Sequence, residues 1–125
     1  MKLEKGVIRV TRDEAEATRF AVFDRAVKQG RLYTQQGITR EKLCELMGVD
    51  RTTFSRIIRK YSGCQNMNDY LNQKRLRYAE QLLRQYPNYT INAIMQDSGF
   101  ATKSTFTQLF KKVYGMTPSE FRNKT

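Results

Sequence analysis

The sequence predicts an all-α protein made of two similar units. Apolar residues in several segments recur at the 3.6-residue spacing of helices that bury one face. Capping residues and glycines divide these segments into short helices. One segment also occurs twice, since F-S-R-I-I-R-K-Y-S-G (54–63) matches F-T-Q-L-F-K-K-V-Y-G (106–115) at an interval of 52 residues. Such internal repetition supports the fold more strongly than either copy alone.

The second unit is clearest in residues 90–121. A helix is predicted from about Thr90 to Ser98, and Gly99 ends it because glycine accepts a left-handed conformation there. Thr102 caps the next helix. The predicted buried face of that helix consists of Phe106, Leu109, Phe110 and Val113. Its other face is polar and cationic without a carboxylate, as suits a helix in the DNA major groove, so this is a helix-turn-helix candidate.

The segment G-F-A-T-K-S-T-F-T-Q-L-F-K-K-V-Y-G-M-T-P-S-E-F-R, which begins at Gly99, resembles the signature of AraC-type transcription regulators. Met95 departs from that pattern, because the family usually has a small alanine there. The resemblance covers about residues 38–123. It implies two helix-turn-helix subdomains joined by a long linker helix, each a three-helix unit of the homeodomain-like kind, with an extra N-terminal helix before them.

The predicted organisation divides the chain at residue 37. Residues 1–37 are an N-terminal extension, and residues 38–125 are the AraC-type DNA-binding domain. Within that domain, the first helix-turn-helix spans 38–69, the linker helix 70–86 and the second helix-turn-helix 87–125. These boundaries follow the predicted caps and breaks along the chain.

The extension carries one predicted helix. The capping box of Thr11 and Glu14 opens it, and it runs to about Gln29. Its predicted inner face consists of Ala17, Phe20, Ala21, Phe23 and Val27. This helix either packs on the first helix-turn-helix or mediates dimerisation. Residues 1–10 are an edge strand or a disordered lead-in, and the sequence does not decide between them.

The first unit and the linker helix follow. Asp50 is the predicted cap of the first recognition helix, Arg51 to Tyr61. Asn68 or Asp69 is the predicted cap of the linker helix, which is expected to start at Tyr70. The arginine-rich outer face of that helix either contacts phosphates or is simply solvated.

The candidate DNA contacts lie on the two recognition helices, where the family's base-reading residues also fall. Side chains that can bond base edges are expected to supply sequence specificity, and cations beside them are expected to hold phosphates. The base-reading candidates are Thr52, Ser55, Arg56, Lys103, Ser104, Thr107 and Gln108. The phosphate-binding candidates are Arg51, Arg59, Lys60, Lys111 and Lys112.

Charge and composition favour this interpretation. The net charge is +11, of which residues 1–37 contribute +3 and residues 38–125 contribute +8, and such a surplus attracts polyanions. An enzyme is disfavoured, because the chain has no histidine and no glycine-rich phosphate loop. No metal, cofactor or membrane span is expected, and the two cysteines predict free thiols in a cytoplasmic, nucleoid-associated protein.

The predicted function is sequence-specific binding of double-stranded DNA and regulation of transcription, which the resemblance suggests is activation with contact to RNA polymerase. Two different readers in one chain predict an asymmetric operator and a monomer on DNA, although dimerisation through another domain stays open. Either the duplex bends to admit both helices or only one inserts. A stand-alone regulator and the output domain of a longer sensor protein both remain open. The alternative is a protein-interaction or anti-activator module that uses the fold without DNA specificity; an RNA-binding protein would show exposed stacking aromatics.

Overall fold

The computed structural model describes residues 10–124, and these form an arrangement of α-helices with one short 3-10 helix. The α-helices are α1 (Arg12–Gln29), α2 (Arg40–Met47), α3 (Arg51–Ser62), α4 (Met67–Gln85), α5 (Ile91–Asp97), α6 (Lys103–Tyr114) and α7 (Pro118–Lys124). The 3-10 helix, Leu32–Thr34, lies between α1 and α2. The predicted all-α class is confirmed. The strand or lead-in considered for residues 1–10 falls almost wholly outside the described residues.

Side-chain caps begin the helices mostly where the sequence predicts them. Thr11 Oγ1 accepts from the amide of Glu14 (3.1 Å), while Glu14 Oε1 accepts from the amide of Thr11 (2.9 Å), which completes a capping box. One predicted cap is wrong: α4 is capped by Asn66, whose Oδ1 accepts from the amide of Asp69 at 2.9 Å. The helix therefore begins one turn before Tyr70, because three good capping residues follow one another closely and the first of them is used.

The described residues form two hydrophobic cores, and α4 contributes side chains to both. The first core lies between α1, α2, α3 and the beginning of α4, and the second lies between the rest of α4, α5, α6 and α7. In the first, the ring of Phe23 packs edge-on against that of Phe54, with centroids 5.8 Å apart. Val27 is also completely buried there. The N-terminal helix is thus packed into the first unit.

Three alanine or valine positions were wrongly placed in the cores. Ala17 and Ala21 are exposed, because the buried stripe of α1 consists of the larger side chains near Phe23. Val113 is 58% exposed. Tyr114 occupies the core position that was expected for Val113, since the centroid of its ring lies 4.4 Å from that of Phe110. An aromatic ring at the end of α6 fills more of the space beside α4 than a valine could.

A half-buried arginine of the linker helix binds the segment before α2. Arg75 Nε donates to the backbone carbonyl of Tyr33 at 2.7 Å, and its Nη1 donates to Asn72 Oδ1 at 2.8 Å. Burial lowers the pKa of Arg75. A charged group that is partly removed from water requires these hydrogen bonds, so they fix α4 against the segment before α2.

Candidate nucleic-acid interface

The first recognition helix, α3, buries one face and presents the other. Phe54, Ile57 and Ile58 are completely buried beneath it. Thr52 and Arg59 are exposed on the opposite side, in the row of i+3 and i+4 neighbours that also contains Arg56. The predicted contact residues of this helix therefore share one outward-facing surface, and Arg51 and Lys60 flank it.

The second recognition helix, α6, has the same construction with different side chains. Phe106 and Phe110 are completely buried, and Thr107 is partly buried. Gln108 Nε2 lies 3.4 Å from Ser104 Oγ, so these two polar groups are neighbours on the outer face. The cations on this face are exposed, and no ion pair within residues 10–124 involves them: Lys103, Lys111 and Lys112.

On α3, by contrast, two of the predicted contact residues are engaged by α1. Arg56 Nη1 and Nη2 donate to Glu16 Oε1 and Oε2, at 2.9 and 2.5 Å. Lys60 Nζ donates to Asp13 Oδ1 at 3.0 Å. The hydrogen bonds from Arg56 lower the pKa of Glu16 to about 2, and the pKa of Arg56 is correspondingly raised. Forked arginine–carboxylate pairs of this kind are among the stronger charge-assisted contacts.

Sequence analysis missed these pairs. Acidic residues near the start of a helix suit its positive N-terminal end, which offers Asp13, Glu14 and Glu16 a local role there. Glu14 does serve that end through the capping box. Asp13 and Glu16 instead face α3, about one turn apart along α1, and helical periodicity alone does not indicate which neighbour they meet. The charge pattern is the one available signal, because acidic residues open α1 and basic residues fill α3.

Ser55 is held from the other side of α3. Arg40 Nη1, on α2, donates to Ser55 Oγ at 3.1 Å, and this contact is partly buried. Ser55 can still offer its hydroxyl proton to an acceptor. Thr52 and Arg59 keep exposed side chains and make no ion pair within residues 10–124.

The two recognition helices also begin differently. Asp50 caps α3, where its carboxylate accepts from the amide of Thr53 at 2.7 Å, and this backbone hydrogen bond lowers the pKa of Asp50. Thr102 caps α6 with a neutral hydroxyl, 3.2 Å from the amide of Thr105. The N-terminus of α3 therefore carries an anion and that of α6 does not. Because a carboxylate at a helix N-terminus repels a second anion, the N-terminus of α6 is the better suited of the two to a phosphate.

The described residues show no alternative kind of site. Residues 10–124 hold no group of three or more histidine, cysteine, aspartate or glutamate side chains that could bind a metal. None of their helices combines the length and apolarity that a bilayer-spanning helix needs. Cys44 and Cys64 are buried free thiols. Burial raises the pKa of Cys44, which is the opposite of what activates a cysteine.

The HTH_18 model, described as a helix-turn-helix domain, matches residues 43–124. The chain belongs to the AraC-type helix-turn-helix family. The match includes both recognition helices, α3 and α6. The family assignment made from the Gly99–Arg122 segment is confirmed. Met95, where the family usually has an alanine, is buried in the second core.

Curated relatives of this AraC-type domain are transcription regulators. The probable transcription factor PqrA of Proteus vulgaris is 30% identical over 91 residues, which make up 73% of this chain and 73% of that protein. The transcriptional activator RhaR of Klebsiella pneumoniae is 27% identical over 115 residues, or 92% of this chain. The chain spans only 40% of RhaR and 30% of the Escherichia coli regulator YijO.

Solved structures show the same fold. The C-terminal domain of AraT, a response regulator from Geobacillus stearothermophilus, superposes with a TM-score of 0.72 at 23% identity, covering 92% of this chain and 89% of that one. The C-terminal domain of the response regulator yesN from Fusobacterium nucleatum gives a TM-score of 0.65 at 27% identity, covering 86% and 97%. The family match and the curated relatives place this chain among the helix-turn-helix DNA-binding domains of transcription regulators.

Proposed function

We propose that this AraC-type domain binds an asymmetric double-stranded DNA site as a monomer, with α3 and α6 in successive major grooves, and thereby activates transcription. The observation that carries the proposal is the presence of two recognition helices in one chain, each with a buried apolar face and an outward polar face. Since the two outward faces differ in sequence, the two half-sites differ as well.

On α6, four side chains contact base edges. Gln108 is suited to adenine, because its amide can donate and accept at once, and Ser104 beside it offers a hydroxyl. Thr107 and Lys103 complete this set. Lys111 and Lys112 lie at the C-terminal end of the helix and hold phosphates, which contribute affinity and register but no sequence information.

On α3, the corresponding base contacts come from Thr52, Ser55 and Arg56. Arg56 can bond both O6 and N7 of a guanine, and Thr52 can contact a thymine methyl group. The phosphate contacts come from Arg51, Arg59 and Lys60. Arg56 lies 52 residues before Gln108, so the two occupy the same position in the repeat and select different bases.

Activation is the direction of regulation that two relatives support by name. RhaR is a transcriptional activator, and VirF of Yersinia enterocolitica, 31% identical over 87 residues, is a virulence regulon transcriptional activator. RNA polymerase is the partner that we infer for such an activator. Expression of the chain in cells that carry a reporter gene behind the selected site tests the direction directly: activation raises reporter output and repression lowers it.

Selection of random duplex DNA on the purified chain tests the binding itself, with fluorescence anisotropy of the enriched duplex at several salt concentrations. Two different blocks about ten base pairs apart are expected. Arg56→Ala should relax one block and Gln108→Ala the other, each by about 1–3 kcal/mol. Arg25→Ala and Gln29→Ala, at exposed positions of α1, are the matched controls.

Other outcomes would replace the proposal. A single block would mean that one helix contacts bases while the other braces the fold, and a palindrome would mean that dimerisation dominates. Binding without enrichment, lost at moderate salt, would leave only phosphate attraction. The recognition helices would then fit an acidic protein surface better than a DNA sequence.

A further inference from the structure

The acidic first turns of α1 lie against the DNA-facing surface of α3. Glu16 accepts hydrogen bonds from both terminal nitrogens of Arg56, and Asp13 accepts one from Lys60. Tyr61 adds a hydrogen bond from its hydroxyl to the backbone carbonyl of Asp13, at 3.2 Å. Without DNA, a base-reading side chain and a phosphate-binding side chain of α3 are therefore already occupied.

We propose that Glu16, with Asp13, is an intramolecular competitor of DNA that sets how strongly α3 contributes to affinity and specificity. The inference rests on the proposed function, because it requires α3 to contact DNA. A guanine presents two acceptors in the major groove, and a carboxylate presents two acceptors to the same forked donors. Arg56 cannot direct Nη1 and Nη2 to both at once, so guanine recognition requires release from Glu16.

The exchange involves side chains and leaves α1 in place. Phe23 and Val27 anchor α1 in the first core, and Asp24 binds α4 by accepting from Tyr70 at 2.6 Å and pairing with Lys74 at 2.6 Å. Displacing the whole helix would expose this core. Arg56 is 38% exposed, so its guanidinium can rotate towards DNA without such a movement.

Glu16 has a second partner for the DNA-bound state. Arg12 Nε lies 3.8 Å from Glu16 Oε2, and the Arg12 side chain is 83% exposed. When Arg56 turns to DNA, Arg12 can approach the carboxylate, whose side chain is only 12% exposed. This limits the cost of leaving a mostly buried charge without its forked partner.

The second recognition helix has no such competitor. Gln108 replaces Arg56 in the repeat, and no carboxylate within residues 10–124 pairs with Lys112, which replaces Lys60. α6 therefore engages DNA at once, whereas α3 engages it only by exchange. The block contacted by α3 is expected to tolerate mismatches better, because a guanine contact there replaces an existing ion pair.

The test measures the affinity of the selected duplex for the whole chain and for five variants: Glu16→Gln, Glu45→Gln, Asp13→Asn, Arg56→Ala and Glu16→Gln combined with Arg56→Ala. Glu45 is exposed and makes no ion pair within residues 10–124, so its variant controls for the change in net charge. Circular dichroism of each variant verifies that it is folded.

Glu16→Gln is expected to tighten binding about tenfold more than Glu45→Gln does, as one strong charge-assisted contact is released. Asp13→Asn, at a side chain that is 77% exposed, should give a smaller gain. The gain from Glu16→Gln should disappear when Arg56 is alanine, and also when the α3 block of the duplex is scrambled.

Two results would overturn the competitor while leaving the proposed function intact: Glu16→Gln no tighter than Glu45→Gln, or weaker than the unaltered chain, in either case with Arg56→Ala still costing affinity. A gain that persists in the Arg56→Ala background would also overturn it, since the effect would not act through Arg56. If Arg56→Ala costs nothing and Glu16→Gln gains nothing, both the competitor and the proposed base contact of α3 are wrong.

Discussion

Gly99 lies directly against the backbone of Tyr33, so closely that a Cβ on Gly99 would stand 2.4 Å from the Tyr33 carbonyl oxygen. It would also stand 2.7 Å from the Cα of Thr34. Gly99 belongs to the turn between α5 and α6, while Tyr33 precedes α2. Because Arg75 of α4 donates to the same carbonyl, one oxygen joins three parts of the chain. This junction packs the segment before α2, the helix α4 and the turn before α6 against one another.

Gly99→Ala should therefore destabilise the fold strongly. The residue has φ +99°, which costs a side chain about 1–2 kcal/mol, and the Cβ would collide with backbone that cannot move aside cheaply. We expect a loss of at least about 3 kcal/mol in the free energy of unfolding, measured with urea.

Gly63→Ala is the matched control for that substitution. Gly63 has φ +75°, and nothing lies within 4 Å of its expected Cβ. It should cost only the conformational part, about 1 kcal/mol. Equal losses for the two variants would show that the contact between Gly99 and Tyr33 is absent in solution.

Phe110→Ala and Val113→Ala test the observed orientation of α6. Phe110 is completely buried, with the rings of Tyr114 and Phe121 4.4 and 5.4 Å away, so its truncation should cost about 3–5 kcal/mol. Val113 is exposed, so Val113→Ala should change stability by less than about 0.5 kcal/mol. A large loss at Val113 would restore the face predicted from the sequence. Both values come from equilibrium unfolding in urea.

The elements that local chemistry determines were predictable from the sequence. Thr11, Asp50 and Thr102 cap the helices that were expected to follow them, since a capping hydrogen bond spans three residues. Gly99 has the predicted positive φ after α5. The repeat at 52 residues locates both recognition helices, because their apolar faces carry the same spacing.

Contacts between distant residues were not predictable in the same way. Glu16 and Arg56 are 40 residues apart, and their pairing depends on how α1 crosses α3. Periodicity assigned Arg56 to the outer face of α3 correctly but carried no information about a neighbour beside that face. The position of Val113 failed for a related reason: two adjacent apolar residues compete for one place, and the larger Tyr114 takes it.

The pair between Glu16 and Arg56 should make stability depend on acid. In the folded protein the pKa of Glu16 is lowered from 4.5 to about 2, chiefly by the hydrogen bonds from Arg56, with smaller contributions from the charges of Arg12 and Lys60. A lowered folded-state pKa stabilises the fold fully above pH about 4.5, and this stabilisation is lost as the pH falls towards 2. Between pH 6 and pH 3, the Tm of Glu16→Gln should therefore fall less than the Tm of the unaltered protein.

Thermal unfolding at several pH values measures this effect, with Glu45→Gln as the reference for one lost carboxylate. At pH 7, Glu16→Gln should be less stable than the reference, and the difference should begin to shrink below pH about 4.5 and disappear only as the pH falls towards 2. Asp50 and Glu120, whose carboxylates accept hydrogen bonds from backbone amides at helix starts, have lowered pKa values too. Both variants therefore keep some sensitivity to acid. Curves that stay parallel over the whole range would mean that Arg56 does not hold Glu16 in solution.

Lys60 and Lys112 occupy the same position in the two copies of the repeat, yet their DNA contacts should differ in strength. Lys112 makes no ion pair within residues 10–124, whereas Lys60 pairs with Asp13 at 3.0 Å. Lys112→Gln should weaken binding to all sequences and reduce the salt slope by about one. Lys60→Gln should change both the affinity and the slope less, because the phosphate contact it removes replaces an existing pair with Asp13.

Anisotropy titrations of the two variants over a series of salt concentrations compare the slopes. Adding Asp13→Asn to each variant's parent should enlarge the effect of Lys60→Gln and leave that of Lys112→Gln unchanged, whereas equal slopes in both parents would show that Asp13 does not compete with phosphate.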